Sequence, residues 1–407
     1  MSWLRSFRII LPSKDKAHLV ASRSYLTYSK AELRDKLERN PYSYLHVINP
    51  NGQQKIEAKR GSKDFFQWVK KKFNSFQENS WLQSPADATL AIYRQESPHG
   101  TCTGIVGLMD LSFVEQGKLK RHEQTLKKRE RLFASYLEEV GCNAEPILCA
   151  YPEDNLAATQ LTAHLAAIKS SRSDYDFSTT DRIRHTIWIL KPAQAAQLSS
   201  IADGLPALYL ADGHHRVASS VELGRRHPED AHKQGLLTFA IPESELIIRG
   251  YHREVVKVER SKDDWTALFN QLKDEFDCEP LQAPFEAPPS TGVLHVHSTH
   301  GSWKWTLRSP FDQGIDAGWL NESVLKPFFQ IIDARKDPRL KYLPGTLASS
   351  QLVTRIEKNS DRCIFELHPV LMDQVKDIAN NGGTLPPKST WIEPKLRSGL
   401  FIHSFEQ

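Results

Sequence analysis

Apolar positions along the chain change their period several times. Between 63 and 77, Phe65, Phe66, Trp68, Val69, Phe73 and Phe76 recur at the spacing of one helical face. Thr89 to Tyr93 and Ile105 to Leu111 are instead dense in apolar and β-forming residues. Ser97-Pro98-His99-Gly100 lies between them, so the pair predicts a hairpin. A charged helix is predicted from Lys118 to Glu139, and a strand from Pro146 to Tyr151. An Ala-rich helix and a polar, Asp-rich connector fill 152–182. Further strands are predicted at Arg184 to Leu190, Ala207 to Ala211, Leu236 to Ile241 and Leu246 to Val256, with a helix at Val217 to Arg226. A helix is expected around Ser261 to Phe276, then strands at Val293 to His297 and Trp303 to Leu307. This alternation predicts an α+β (mixed α/β) fold. Pro280 to Ser290 is the most linker-like stretch, although the strands after it read as part of a compact fold. The expected division is an α/β region at 1–260 and a C-terminal α/β region at 261–407, closed by a docked tail.

Composition narrows the class. With 407 residues, 40% hydrophobic and 25% charged, the chain has material for two or three domains and is not wholly disordered. No apolar run is long enough to span a membrane, and Phe7 to Leu11 is too short for a signal-peptide core. The five cysteines are scattered and form no CxxC pair, which fits a reducing cytoplasm. A net charge of +4 neither demands nor excludes nucleic acid.

The strongest local signal is Leu208-Tyr209-Leu210-Ala211-Asp212-Gly213-His214-His215-Arg216. A strand that breaks at Asp-Gly straight into a helix aims backbone N–H groups and the positive end of a helix dipole at one spot. Gly213 permits a tight turn, while His214, His215 and Arg216 place donors on the first helical turn, suited to phosphate. Asp212 is placed to hold Mg²⁺ or to orient a hydroxyl. The plainer alternative makes Asp212 an N-cap and the histidines surface residues.

Three other groups of residues carry candidate chemistry. Lys120, His122 and Glu123 open the charged run, where a base and phosphate ligands can meet; the bland reading is a solvated helix with Glu123 supporting Lys127. The tail from Pro386 to His403 mixes apolar groups, prolines and charges and reads as docked. Its Lys388, Lys395 and Arg397 either reach an anionic ligand or pair with Glu393 and other carboxylates. His295, His297 and His300 include an i, i+2 pair, read as exposed strand histidines in preference to metal ligands. No Walker, GxGxxG or GxSxG motif occurs, which counts against P-loop, Rossmann and α/β-hydrolase chemistry.

The string Ala211 to Arg216 resembles the hallmark of the DUF1015 family. So do Ala21-Ser22-Arg23, the pieces Asn40 to His46 and Gly104 to Leu108, Lys120 to Thr125, His185 with Trp188, and the tail. Ser24 to Thr27 depart from the proline and aspartate usual after the early arginine, and Lys336 stands where a small polar residue is usual. The Asp-Gly-His-His-Arg string is also similar to the nucleotide-phosphate motif of the ParB/sulfiredoxin-like superfamily, whose free-serine kinases carry Asp-Gly-His-Thr-Arg. That resemblance implies a ParB/sulfiredoxin-like core with added N- and C-terminal elements, ATP or ADP with Mg²⁺ as cofactors, and a small substrate linked to serine metabolism.

Together these readings point to a small-molecule phosphotransfer enzyme in the cytoplasm, acting on a metabolite such as serine or phosphoserine. Gly213, His214, His215 and Arg216 would neutralise phosphate, Asp212 would hold Mg²⁺, and Glu123 with His122 would supply the base. Lys120, Lys388, Lys395 and Arg397 would add cations around the ligand. The alternatives are a phosphoserine phosphatase, a ParB-like nucleotide-dependent DNA-binding protein, and a metabolite sensor without turnover. The DNA-binding alternative lacks a visible reading helix. Oligomeric state is not legible in the sequence.

Overall fold

The computed structural model describes residues 2–49, 58–85, 87–308 and 315–406. Helices and strands alternate through the chain, giving the expected mixed α/β fold. The chain forms two compact units, one of Met1–Leu246 with Pro394–Gln407 and the other of Ile247–Glu393. The expected division between 260 and 261 falls inside the second unit, and the tail from 394 onward is counted with the first.

The first unit is built on a nine-stranded sheet. From one edge its strands run Leu119–Lys120, Leu208–Asp212, Ile147–Tyr151, Gly235–Pro242, Gly100–Asp110, Ala91–Ser97, Arg184–Ile189 and Tyr175–Ser178. Leu4–Arg5 adds to Gly100–Asp110. Ala91–Ser97 and Gly100–Asp110 are the predicted hairpin, with Ser97 opposite Gly100 across a two-residue turn. Ile147, Cys149, Leu208 and Leu210 are buried with Leu236 and Ala240 on one face of this sheet. The helices Leu156–Lys169 and Pro192–Ala202 close this core with Leu161, Leu165 and Leu198. The predicted amphipathic helix is Lys63–Glu78; its Phe65, Phe66, Val69, Phe73 and Phe76 build a second cluster with Tyr44, Val140 and Ile402.

The charged run differs from its prediction. Leu119–Lys120 is a short edge strand paired in parallel with Leu208-Tyr209, and residues 121–126 are irregular. The helix begins later, at Lys127–Val140. Leu119 is buried, and satisfying its backbone by pairing with Leu208 outweighs the helical tendency of the charges around it. Glu123 therefore supports no helical pair with Lys127, whose ammonium meets Glu130 at 3.2 Å.

The second unit carries a six-stranded antiparallel sheet, in the order Phe276–Pro280, Gly301–Leu307, Val293–Ser298, Arg362–Leu367, Tyr251–Val256 and Leu340–Pro344. The predicted strand from 246 to 256 is two, Ile247–Arg249 and Tyr251–Val256, broken at Gly250, where a side chain would run into the Leu367 carbonyl. The predicted helix over 261–276 stops at Gln271, and Phe276 starts a strand. His295 and His297, expected on an exposed face, are buried. Glu366 from the neighbouring strand lies 3.7 Å from His295 Nδ1 and 3.3 Å from His297 Nε2, and also accepts from Ser349 Oγ at 2.6 Å. Burial alone would raise the Glu366 pKa, but these donors pull it down to about 2. Among the described residues, no group of three His, Cys, Asp or Glu could hold a metal ion. No described helix is long and apolar enough to cross a membrane.

Candidate functional site

Leu208–Asp212 runs between Leu119–Lys120 and Ile147–Tyr151, with a register shift between Leu210 and Asp212. Gly213 then takes a φ of 107° and becomes the N-cap of the helix His214–Arg226. Only glycine fits there without strain, because a Cβ would also come within 2.8 Å of Ile147 Cγ2. Among the described residues, no side chain caps this helix start. Its first N–H groups lack intrahelical acceptors, and the dipole adds partial positive charge.

Two imidazoles meet at this turn. The His214 ring stands 4.6 Å from that of His122, at 77°. His122 is 1% exposed, and among the described residues both its ring nitrogens lack a hydrogen-bond partner, as does His214 Nε2. Burial pushes the His122 pKa down to about 4, with Asp212 opposing the shift. Burial also holds His214 well below its ordinary value, helped by His122, Arg121, His215 and Arg216. Both rings are therefore neutral at pH 7, and the 3.8 Å approach of His214 Nδ1 to Glu123 Oε2 is not an ion pair there.

Arg216 points back along the turn. Its Nη2 donates to Asp212 Oδ2 at 2.6 Å and meets Glu145 Oε1 at 2.9 Å, while Nη1 donates to the Pro146 carbonyl. Glu145 Oε2 in turn accepts from Ser398 Oγ at 2.7 Å. The guanidinium is shared between two carboxylates, and the tail fixes one of them. Glu145 and Ser398 escaped the sequence reading because each reaches the turn from a distant segment, with no local motif to mark it.

The remaining candidates have varied surroundings. Lys120 sits on the edge strand opposite Tyr209. His215 is the second residue of the helix, close to the Lys127–Val140 helix through Phe133. Arg397 is buried and donates to Asp181 Oδ2 at 2.7 Å and to Thr179 Oγ1 at 3.3 Å. Thr179 and Tyr93 bracket buried His185, whose pKa is pushed down to about 3 by burial and then by Arg397. The pairing expected for the tail thus exists, with Asp181 as the partner of Arg397; Glu393 is bound to Arg249 at 2.9 Å. Lys395 lies in the same tail segment of the first unit. Lys388 belongs to the second unit, where its ammonium is 5.8 Å from the Tyr251 ring centre.

The residues present fit a phosphate group and its cation. Unpartnered nitrogens on two buried rings and an uncapped helix start supply donors, and Asp212 is a hard oxygen ligand. Mg²⁺ is commonly held by one or two carboxylates together with substrate phosphates, so a three-residue cage is not required.

The fold and this site define a mixed α/β protein whose candidate chemistry lies where the strand next to the sheet edge turns through glycine into a helix. The chain belongs to the DUF1015 family, described as a protein of unknown function, with the family match running over residues 4–328. That span includes the Asp212 turn and ends before the tail. No curated protein matches the chain. Among solved structures it is similar to SbnI with a C-terminal truncation from Staphylococcus aureus, at 14% identity and a TM-score of 0.37, covering 72% of this chain and 84% of that one. A free serine kinase mutant in complex with ADP has 12% identity and a TM-score of 0.39, with 72% and 88% covered. A conserved hypothetical protein from Pyrococcus furiosus has 14% identity and a TM-score of 0.37, with 74% and 96% covered.

Proposed function

We propose that this protein is a phosphotransfer enzyme that binds a nucleotide phosphate at the Gly213 turn and acts on a small hydroxylated metabolite such as serine. The observation that carries the reading is the uncapped start of the His214–Arg226 helix, flanked by Arg216 and Asp212. In this reading the N–H groups of the first turn cradle phosphate oxygens, Arg216 adds positive charge from its pairs with Asp212 and Glu145, and charge stabilisation and positioning do the catalytic work. Mg²⁺, when bound at Asp212, would neutralise phosphate charge. The neutral rings of His122 and His214 would donate N–H groups and exclude water. Glu123, partly exposed beside them, would take the proton of the substrate hydroxyl as that oxygen bonds to the terminal phosphorus and the bond to ADP breaks. Lys120, Lys395 and Arg397 would contribute positive potential, Arg397 from its buried pair with Asp181.

A thermal-shift panel tests the reading, with ATP, ADP, serine, phosphoserine and pyrophosphate, each with and without Mg²⁺. A ligand at about a hundred times its Kd stabilises the protein by roughly 2.7 kcal/mol. The expected result is a nucleotide shift that disappears in Asp212→Ala/Arg216→Ala. A shift with phosphoserine alone, with release of free phosphate, would turn the reading to hydrolysis. An Asp212→Ala protein that keeps full phosphotransfer activity refutes it.

A further inference from the structure

Large apolar side chains exposed singly are ordinary on any protein surface, but a cluster beside a site is not. Six are exposed among the described residues, and Leu126, Leu132 and Phe133 are three of them. Leu126 precedes the Lys127–Val140 helix and is 51% exposed; Phe133, within it, is 44% exposed and the sole aromatic of the six. The spacing of 126, 130 and 133 places Leu126, Glu130 and Phe133 along one side of that helix. Leu132 points elsewhere, towards Gly61. Glu130 is buried, and its carboxylate accepts from Thr125 Oγ1 at 2.5 Å and pairs with Lys127, so it is anchored where it stands.

This apolar strip adjoins the phosphate turn. The Phe133 ring centre is 6.5 Å from that of His215, with 46° between the planes, and His215 is the second residue of the helix that starts at the turn. The chemistry proposed above gives neither Phe133 nor Leu126 a task. We propose that Phe133, flanked by Leu126, is the platform on which the base of the bound nucleotide stacks. The inference rests on the phosphate-binding reading of the turn and adds the class of ligand, a nucleotide in preference to a bare phosphate ester. A nucleotide suits both features, since one end is anionic and the other is a flat π surface with a polar edge. Stacking favours bases as a class, because every base presents such a face.

Calorimetric titration of the full chain tests this with two probes, ADP and inorganic pyrophosphate, each with Mg²⁺. The variants are Phe133→Ala and Phe133→Tyr, and the exposure of the ring makes either compatible with the fold. Phe133→Ala is expected to weaken ADP binding at least about fivefold, the lower end of base–aromatic stacking. Pyrophosphate binding should stay unchanged, and Phe133→Tyr should retain ADP affinity. If wild-type protein binds both probes and Phe133→Ala keeps full ADP affinity, or loses pyrophosphate to the same extent, the platform is refuted while the turn stands. If the wild type binds neither, the phosphate reading fails and the platform with it.

Discussion

Replacing Gly213 by alanine makes two demands on the turn at once. At a φ of 107° the new Cβ is in the left-handed region, which costs an ordinary residue about 1–2 kcal/mol. The same Cβ would sit 2.8 Å from Ile147 Cγ2 and 3.3 Å from Arg216 Nε. Ile147 is buried in the middle of the sheet and has little room to give, so overpacking adds about 1–3 kcal/mol. The first unit should lose roughly 2–5 kcal/mol in total. Urea unfolding gives the overall loss, and hydrogen exchange over 208–226 shows whether it is centred on the turn. An Ile147→Ala background separates the two contributions, because it relieves the crowding and leaves the backbone cost in place. Nucleotide affinity should fall as well, since the helix start is displaced from the strand end. Gly213→Ala protein within about 0.5 kcal/mol of wild type would refute the argument that this turn requires glycine.

Two further outcomes concern the first unit. Arg397→Met leaves the Asp181 carboxylate with only the more distant Arg23, 4.0 Å away; breaking a buried pair costs about 3–5 kcal/mol, and the partial exposure of Asp181 and the remaining Arg23 favour the lower figure or less. Adding Asp181→Asn should recover part of that loss, and a double variant no more stable in urea than Arg397→Met would contradict the pairing. Burial holds His122 at about 4 and His185 and His403 at about 3, all below the ordinary 6.5. The unfolded chain then binds more protons in this range, so stability is complete above pH 6.5 and declines as pH falls towards 3. His403 alone contributes a loss of about 2 kcal/mol at pH 5. Its ring packs against Phe7 and Phe405, so His403→Phe should flatten the acid side of a plot of Tm against pH; a decline parallel to wild type would exclude His403 as a cause.

What could be read from the sequence follows the range of the interactions involved. The helix Lys63–Glu78 and the hairpin at Ser97-Pro98-His99-Gly100 were legible because their patterns are local and their partners adjacent. The Asp212 turn was legible for the same reason: strand, glycine and helix start are consecutive. The 118–126 segment was not, because its edge-strand pairing is with Leu208-Tyr209, far along the chain. The burial of His295 and His297 depends on Glu366 and Ser349, which arrive from a later strand and helix. Glu145 and Ser398 show the same limit within the site. A hydrogen bond between residues so far apart leaves no periodicity to detect.

The interrupted course of the first unit sets an order of events during synthesis. The second unit is inserted between Leu246 and Pro394, and Leu400, Phe401 and Ile402 are buried in the first. Ile10 exchanges both backbone hydrogen bonds with Ile402, and Asp181, which Arg23 approaches only to 4.0 Å, gains its cation at 2.7 Å once Arg397 has been made. At about 5–20 residues per second, the ribosome needs on the order of ten seconds or more to go from Leu246 to Ile402. For that interval the nascent sheet waits with an open seam along Ile10 and a carboxylate lacking its nearer counter-charge. The inserted unit, contiguous in sequence, closes its own first strand on its last once Glu393 has been made, before the residues that seal the first unit. The unit begun first is therefore the last to be sealed.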